Sequence, residues 1–394
     1  MPALLSTRFL RAVADGVVAA SLAAYLRARG LDAAQIGQFV TATLIGSAVI
    51  VTAAGLRPDR FTPPRVVLGT SALMVVLGIA FALQSPLPVL VGLAMVGPLN
   101  PSGGDVSAFL PAEQTLLSDS VRKERRTALF ARFSLVAALG AAVGGLGAAL
   151  PARLEHRGWT HADALGVVFW VYAAVGVVVA GVYLVRVTRE AGQVQRKRVA
   201  QGPLGVSRKT VRDLAILFSL DAAGGGFVVS SLLALWLARR FDFDLARIGG
   251  TLAMMSLLSA ASALVAPRLV RRFGPVRTMV FTHMPAQVFL LLAAFAPNAG
   301  LAVLCLCLRS LTSSLDVPAR TAFVMNVVTE EERAAAASFT NIPRSLASAA
   351  TPTLAGWMLA HSASGWPLFA GAICKFTYDV LLLVRFGHLD AELV

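Results

Sequence analysis

The chain has 394 residues, of which 57% are hydrophobic and only 14% are charged, and its mean hydropathy is +0.72. Soluble domains carry about 25% charged residues, so an ordinary water-soluble enzyme is excluded. The formal net charge of +14 does not indicate nucleic-acid binding, because the basic residues lie between apolar segments and form no single patch.

Twelve apolar segments of helix length follow one another along the chain. Each has the roughly 20 residues that a helix needs to cross a bilayer. Because backbone polar groups find no partner in lipid, each segment is expected to be a helix. The predicted fold is therefore an all-α integral membrane protein. The segments lie at about residues 8–27, 36–56, 66–83, 88–110, 127–150, 164–186, 212–238, 246–266, 276–296, 299–320, 336–360 and 365–386.

A basic, glycine-containing stretch at 187–211 separates the segments into two sets of six. The predicted domains are an N-terminal six-helix bundle at 1–186, a cytoplasmic linker at 187–211 and a C-terminal six-helix bundle at 212–394. Basic residues concentrate in the loops on one side, which places both termini in the cytoplasm. The predicted location is the cytoplasmic membrane, which the chain crosses many times.

The two sets of six also repeat each other. Asp105 corresponds to Asp316, and Arg132 corresponds to Arg344, at an offset close to that between Ile36-Gly37 and Ile248-Gly249. A shared offset at several places indicates an internal repeat. Two parallel six-helix repeats related about the membrane normal are typical of one class of secondary transporters.

The loop between the second and third segments carries the most specific motif. It contains Gly55, Asp59, Arg60 and Arg65, with Thr62 where a glycine is expected. On this motif, the twelve segments and the repeat, the chain resembles the major facilitator superfamily over essentially its whole length. The resemblance implies two pseudo-symmetric bundles that work by alternating access. It also implies that the four motif residues form a cytoplasmic gate, although Arg60 and Arg65 could instead be topology charges alone.

Charged residues within the predicted spans are the main candidates for function. Burying one costs at least about 2.5–3.5 kcal/mol unless it is paired. In one interpretation, Asp15 or Asp221 carries protons, and Arg132 or Arg344 tunes a carboxylate or binds an anionic substrate. In the other, Asp105–Arg132 and Asp316–Arg344 are structural ion pairs. The predicted charge network for proton coupling comprises Asp15, Glu113, Arg132 and Arg344.

Three further intramembrane groups have simpler expected roles. Arg11 lies one turn before Asp15 and is a candidate partner for it. Lys375 and Asp379 are four residues apart on one helix and are expected to pair with each other. His283 is expected to be a satisfied core histidine and not a proton relay.

The fourth segment is expected to be interrupted. Its stretch from Gly97 to Asp105 contains Pro98 and Pro101, and free backbone groups at membrane depth require protein or a wet cavity around them. Gly224–Gly226 in the seventh segment and a polar run in the tenth are similar. Interrupted helices in matching repeats indicate a binding site, although close packing or hinge bending would also explain them. The predicted substrate cavity comprises Asn100, Ser102, Asp105, Asp221, Arg309, Thr312 and Asp316.

The predicted function is secondary active transport of a small organic solute, coupled to protons. No nucleotide-binding or hydrolase motif occurs, so the chain is predicted not to be an enzyme and to need no ATP, metal or cofactor. The expected partners are the substrate, protons and the bilayer, and the expected state is a monomer. Efflux is plausible, but the fourth-segment arginine of drug–proton antiporters is absent. The alternatives are a gradient-driven uniporter for uptake and a non-transporting sensor or scaffold.

Overall fold

The computed structural model describes residues 2–56, 62–102, 109–119, 126–190, 205, 207–316, 319–320, 323–324, 327–329 and 332–389. These residues form helices and connecting turns, with no strand among them. The helices of the first half are α1 (Pro2–Ala28), α2 (Ala33–Leu56), α3 (Pro63–Ala82), α4 (Leu87–Val96), α5 (Leu110–Asp119), α6 (Arg126–Gly147), α7 (Leu150–Glu155) and α8 (His161–Glu190). Those of the second half are α9 (Arg208–Gly226), α10 (Ser230–Phe241), α11 (Leu245–Ala263), α12 (Ala266–Phe273), α13 (Pro275–Ala294), α14 (Ala299–Ser313), α15 (Arg333–His361) and α16 (Trp366–Phe386).

The helical, membrane-spanning character predicted from the sequence is confirmed. Within the described ranges, nine helical stretches are long and apolar enough to cross a bilayer. Every predicted apolar segment contains at least part of one of the helices above, although the segment at 88–110 is helical only up to Val96 and again from Leu110 among the described residues. Two of these helices, α4 and α14, are apolar but shorter. The count of twelve crossings stays a prediction.

Two of the predicted helix interruptions are present. Helix α4 ends at Val96, and the chain from Gly97 to Ser102 is not helical. Pro98 and Pro101 lack the N–H that would continue a helix. Helix α9 ends at Gly226, the last of three consecutive glycines, and α10 begins at Ser230. The fourth and seventh segments are therefore both broken in mid-segment.

The chain divides into two compact units. Unit 1 contains residues 1–194 together with 229–257 and 356–363, and unit 2 contains residues 195–228, 258–355 and 364–394. Unit 1 thus includes α10, most of α11 and the end of α15, which belong to the second half of the sequence. The division into bundles at 1–186 and 212–394 stays a prediction about the repeats.

Small residues set the helix packing in unit 1. Helix α1 packs against α6, α8 and α10. A Cβ added to Gly144 of α6 would lie 2.1 Å from the backbone oxygen of Val13, and one added to Gly16 of α1 would lie 2.5 Å from that of Ala141. Glycine at these positions lets the two backbones approach closely. The glycine series of the fifth segment is therefore a packing face against α1.

Unit 1 also contains close contacts between the first and second halves of the sequence. A Cβ added to Gly249 of α11 would lie 2.0 Å from the backbone oxygen of Gly145, and one added to Gly356 of α15 would lie 2.7 Å from Cα of Gly37. These two sites join α6 to α11 and α2 to α15 with no side chain between the backbones.

Unit 2 is built around helix α13, which packs against α14 and α16, while α16 also packs against α9. Its apolar core includes Phe218, Phe323 and Phe386. A Cβ added to Gly224 of α9 would lie 2.7 Å from Cγ of Lys375 and 2.9 Å from the backbone oxygen of Gly371. The glycines before the break in the seventh segment therefore lie against α16.

Candidate functional site

The broken ends of the fourth and seventh segments meet inside unit 1. The Ser231 backbone N–H donates to the Pro101 carbonyl at 3.0 Å, and the Ser230 hydroxyl donates to the Ser102 carbonyl at 2.6 Å. The Ser102 hydroxyl in turn donates to Oδ1 of Asn100 at 2.6 Å. Each break therefore supplies the hydrogen-bonding groups that the other needs.

A buried charge cluster lies beside the break in the fourth segment. It consists of Arg8, Arg11, Asp15, Asn100 and Glu113, and it is called the unit 1 cluster below. Nη2 of Arg11 lies 2.8 Å from Oε2 of Glu113, and Nη1 of Arg8 lies 3.8 Å from the same oxygen. The Asp15 carboxyl has the Asn100 side chain as a hydrogen-bond partner. Arg11 and Glu113 are each 1% exposed, so their charges depend on each other and not on water.

Aromatic rings complete the surroundings of the two arginines. The guanidinium carbon of Arg11 lies 3.8 Å from the centre of the Phe109 ring, and that of Arg8 lies 4.9 Å from the Phe133 ring centre. Cation–π contacts of this kind are stronger when water is excluded. Within the described residues, Nε and Nη1 of Arg11 have no hydrogen-bond partner. The cluster therefore keeps donor capacity that a ligand could use.

A second cluster lies inside unit 2. It consists of Asp221, His283, Asp316, Arg320, Lys375 and Asp379, and it is called the unit 2 cluster below. Asp221 is 4% exposed. Its Oδ1 lies 2.5 Å from Nζ of Lys375, and its Oδ2 lies 3.2 Å from Nη1 of Arg320. Arg320 also lies 3.5 Å from Oδ2 of Asp316, one helical turn earlier.

His283 corrects two expectations from the sequence. Its Nδ1 lies 2.8 Å and 3.1 Å from the two carboxylate oxygens of Asp379, and its Nε2 lies 3.9 Å from Oδ1 of Asp221. The predicted Lys375–Asp379 pair is wrong, because Lys375 contacts Asp221 and Asp379 contacts His283. His283 is buried and satisfied as expected, yet it is part of a charge network and not a lone core histidine. Asp221, on α9, lies between Lys375 and His283. Spacing along α16 alone could not predict this arrangement.

The remaining predicted residues are distributed as follows. Arg11, the candidate partner of Asp15, forms its ion pair with Glu113 and also acts electrostatically on Asp15. Arg309 and Arg344 lie near enough to Asp221 to act on it electrostatically, and the Thr312 hydroxyl donates to the backbone of its own helix. Arg132 is exposed on α6. The Asp316–Arg344 pair stays a prediction.

The predicted gate motif is only partly within the described ranges. Gly55 lies in the last turn of α2, and Arg65 is exposed in the first turn of α3. Asp59 and Arg60 lie outside the described residues, as does Asp105 of the predicted cavity. The gate, the cavity and the Asp105–Arg132 pair therefore stay predictions.

Sequence reasoning missed three participants. Arg8 and Arg320 are not among the predicted site residues, and Arg11 was expected to pair with Asp15. The spacing of Asp316 and Arg320, four residues apart, was the available signal for their contact. No comparable local signal joins Arg11 to Glu113, because the two lie on different helices.

Comparison with known proteins gives the family. Residues 4–286 and 214–386 match the Major Facilitator Superfamily, and the chain belongs to this family. An uncharacterized membrane protein of Saccharomyces cerevisiae, YJR124C, is 23% identical over 98% of this chain and 93% of its own length.

Solved structures of transporters share the fold. A bacterial homologue of the human lysosomal transporter Spinster, inward-facing and unoccupied, is similar with a TM-score of 0.67 and 13% identity, covering 99% of this chain and 94% of its own. An auto-inhibited peptide transporter of the POT family gives 0.74 and 11%, with coverages of 97% and 96%. The nucleoside transporter NupG gives 0.68 and 14%, with 98% of each chain covered. The chain is thus a membrane protein of transporter type.

Proposed function

We propose that the protein is a secondary active transporter of the cytoplasmic membrane, which moves a small organic solute by alternating access and couples the movement to protons. The observation that carries the proposal is the burial of carboxylates at membrane depth in a transporter fold. Asp15 is 8% exposed and Asp221 is 4% exposed. Ionisable groups in that position are expensive and usually serve an ion or substrate pathway.

The substrate class follows from the unit 1 cluster. Arg11 holds unpaired N–H donors in a buried position next to Asp15 and Asn100. A guanidinium binds carboxylates and phosphates through such donors. Organic anions are therefore the first substrates to test, and the direction of transport is an outcome of the test.

The first experiment measures compound-dependent proton flux. Purified protein is reconstituted into liposomes with a trapped pH-sensitive dye and exposed to a library of metabolites and antibiotics. We expect a pH change with the wild type that is absent from empty liposomes and from the Asp221→Asn protein. Asp213→Asn is the matched control, because Asp213 lies on the same helix but pairs at an exposed site with Arg385. It should transport normally.

Three outcomes would contradict the proposal. Full flux in both Asp15→Asn and Asp221→Asn would remove these carboxylates from coupling. Substrate movement without a pH change would indicate a uniporter. Silence across the library, with folded protein in the vesicles, would favour the sensor or scaffold.

Alternating access predicts that contacts between the two halves of the sequence must break during transport. A Cβ at Gly145 would lie 3.3 Å from Cβ of Ala253, close to the spacing of a disulfide. In a background without Cys305, Cys307 and Cys374, the pair Gly145→Cys with Ala253→Cys should form a disulfide that stops transport until it is reduced.

A matched pair on the same helix provides the control for this disulfide. A Cβ at Gly147 would lie 3.0 Å from Cγ2 of Val17 and meet no backbone atom within 4 Å, and both residues belong to the first half of the sequence. A disulfide there should leave transport largely intact, because α1 and α6 would move together. Equal inhibition by both disulfides, or by neither, would contradict movement between the halves.

A further inference from the structure

The imidazole of His283 connects three helices of unit 2. His283 lies on α13, Asp379 on α16 and Asp221 on α9, and each ring nitrogen faces one of the two carboxylates. Nδ1 is within hydrogen-bonding distance of Asp379, at 2.8 Å. Nε2 is 3.9 Å from Asp221, which is too long for a hydrogen bond but short enough for strong attraction to an imidazolium.

Asp379 depends on His283 for its charge balance. Asp379 is 0% exposed and His283 is 3% exposed. Within the part of the chain that the structure describes, His283 is the one side chain that hydrogen-bonds Asp379. An ionised carboxylate without a cation is very costly at such a site. A proton shared by His283 and Asp379 removes that cost.

The charges around this pair define what would happen if the proton left. Among the described residues, Asp221 has two cations in contact, Lys375 and Arg320, whereas Asp379 would have none there. Lys375 lies on α16 four residues before Asp379, a spacing at which side chains on a helix meet. The other groups that face this region are Asp316, which contacts Arg320, and Arg309 and Arg344, which act on Asp221 from further away, with the buried ring of Tyr378 against His283.

We propose that His283 and Asp379 hold the coupling proton, and that its release transfers Lys375 from Asp221 to Asp379. The proposal rests on the function proposed above and identifies the coupling site within it. In the protonated state, the imidazolium pairs with Asp379, and Lys375 pairs with Asp221. When the proton leaves the imidazolium to water, the Lys375–Asp221 ion pair breaks and a Lys375–Asp379 pair forms. Asp221 keeps Arg320, so each of these two carboxylates has a cationic partner in both states.

The position of Lys375 connects this exchange to the broken helix. Its Cγ would lie 2.7 Å from a Cβ at Gly224, and its Nζ would lie 3.8 Å from one at Gly225. Both glycines belong to the last turn of α9, which ends at Gly226 where the seventh segment is interrupted. Movement of Lys375 therefore changes what packs against α9 at the place where its helix stops. A change in the protonation of His283 would in this way alter the conformation of the seventh segment.

The test follows both side chains directly, without a substrate. The chain has five histidines and four lysines, so ¹⁵N-histidine and ¹⁵N-lysine solid-state NMR spectra of the full-length protein in liposomes are simple enough to assign. His283→Gln and Lys375→Met identify the two signals by their loss. As the pH is raised, we expect the His283 ring to change from imidazolium to imidazole and the Lys375 signal to move together with it.

Two variants determine whether the titration has the proposed cause. Asp379→Asn should change the pH dependence of the His283 ring signal, because the charge that pairs with the imidazolium is gone. It should also abolish the pH-dependent movement of the Lys375 signal. Asp213→Asn, on the exposed end of α9, should leave both signals unchanged.

Several results would overturn the proposal. The first is a wild-type His283 ring that does not titrate as the pH is raised, which requires no variant to fold. The second is a Lys375 signal that stays fixed while His283 titrates, and the third is an unchanged pH dependence of the His283 signal in Asp379→Asn. Proton-flux measurements in the same vesicles separate the two proposals: titration without flux would contradict the transport function, whereas flux without titration would contradict this coupling site alone.

Discussion

The two buried clusters use similar residues but differ in which groups can lose a proton. In the unit 1 cluster, the carboxylate of Glu113 is held by Arg11 and Arg8, whose guanidinium groups lie against phenylalanine rings, and the Asp15 carboxyl lies beside them. Arginine stays charged at every physiological pH. In the unit 2 cluster, His283 contacts Asp379 and lies near Asp221, and Lys375 contacts Asp221.

This difference indicates different uses of buried charge. The guanidinium groups of Arg11 and Arg8 stay charged, so the part of the unit 1 cluster around Glu113 is suited to hold helices and to bind an anion, whereas Asp15 beside it is a proposed proton carrier. A histidine between two carboxylates can change its charge near neutral pH, so the unit 2 cluster is suited to respond to protons. The predictions below test whether the two clusters are distinct in this way.

The largest expected effect is that of Glu113→Gln in the unit 1 cluster. This change leaves Arg11 and Arg8 buried without their ion-pair partner, which typically costs about 3–5 kcal/mol of unfolding free energy. We expect a large fall in thermal stability at every pH measured, because the arginines that pair with Glu113 stay charged. Thermal unfolding in detergent at several pH values measures it.

A double variant distinguishes the loss of the pair from damage to packing. Arg11→Met together with Glu113→Leu replaces the closest ion pair by apolar side chains and should recover much of the stability. If Glu113→Gln is as stable as the wild type, the ion pair of Glu113 with Arg11 does not hold the unit 1 cluster together.

The next effect concerns the helix packing beneath the unit 1 cluster. In Gly144→Ala, the new Cβ would lie 2.1 Å from the Val13 carbonyl oxygen, so α1, which carries Arg8 and Arg11, must move. Overpacking of this kind costs about 1–3 kcal/mol. Gly69→Ala on α3 is the control, since no atom lies within 4 Å of its added Cβ. Equal stability of the two variants, measured by thermal unfolding, would show that α1 is not held by this contact.

The sequence predicted the fold well because hydrophobic length is a strong signal in a membrane protein. Each apolar segment contains at least one helix, and the break after Val96 followed from two prolines that cannot continue one. The grouping of residues 229–257 and 356–363 with the first half had no such signal. It depends on glycine-to-glycine contacts, such as that of Gly145 with Gly249, between helices far apart in sequence.

The sequence predicted the candidate site less well, for a related reason. It identified Asp15, Glu113, Asp221 and Asp379 as costly buried charges, because that cost depends only on residue type and depth. It did not identify their partners. Spacing along α16 favours a pair of Lys375 with Asp379, but the observed partners come from α9 and α13, which only tertiary packing brings there.

A smaller effect is expected from a carboxylate of unit 2 that lies outside the membrane. Glu332 precedes α15 and accepts backbone N–H groups of Gly205 at 2.5 Å and Ser207 at 3.3 Å. Hydrogen bonding by Ser207, followed by that of Gly205, lowers the pKa of Glu332. The stabilisation is therefore complete above the unfolded pKa of Glu and is lost as the pH falls through the lower, folded value.

Hydrogen exchange at two amides measures this contact. In Glu332→Gln at neutral pH, the amides of Gly205 and Ser207 should exchange faster than in the wild type, and acidification of the wild type should give the same change after correction for intrinsic rates. Glu155→Gln, which alters an exposed contact with His161, is the control. Unchanged exchange in Glu332→Gln would mean that Glu332 does not hold the chain before α9. The main charge contacts of unit 2 would then be those made by carboxylates inside the membrane.

The smallest effect is expected for the exposed ion pair between α9 and α16. Asp213 contacts Arg385, whose side chain is 56% exposed, and exposed pairs contribute about 0–1 kcal/mol. Asp213→Asn should therefore lower thermal stability only slightly, and added salt should reduce even that difference because it screens exposed charges. Asp221, two turns further along α9, is buried among Lys375 and Arg320, so Asp221→Asn should cost several times more and should be insensitive to salt. A loss in Asp213→Asn comparable to that in Asp221→Asn would mean that the contact between α9 and α16 depends on charge along its whole length, and not on the buried cluster.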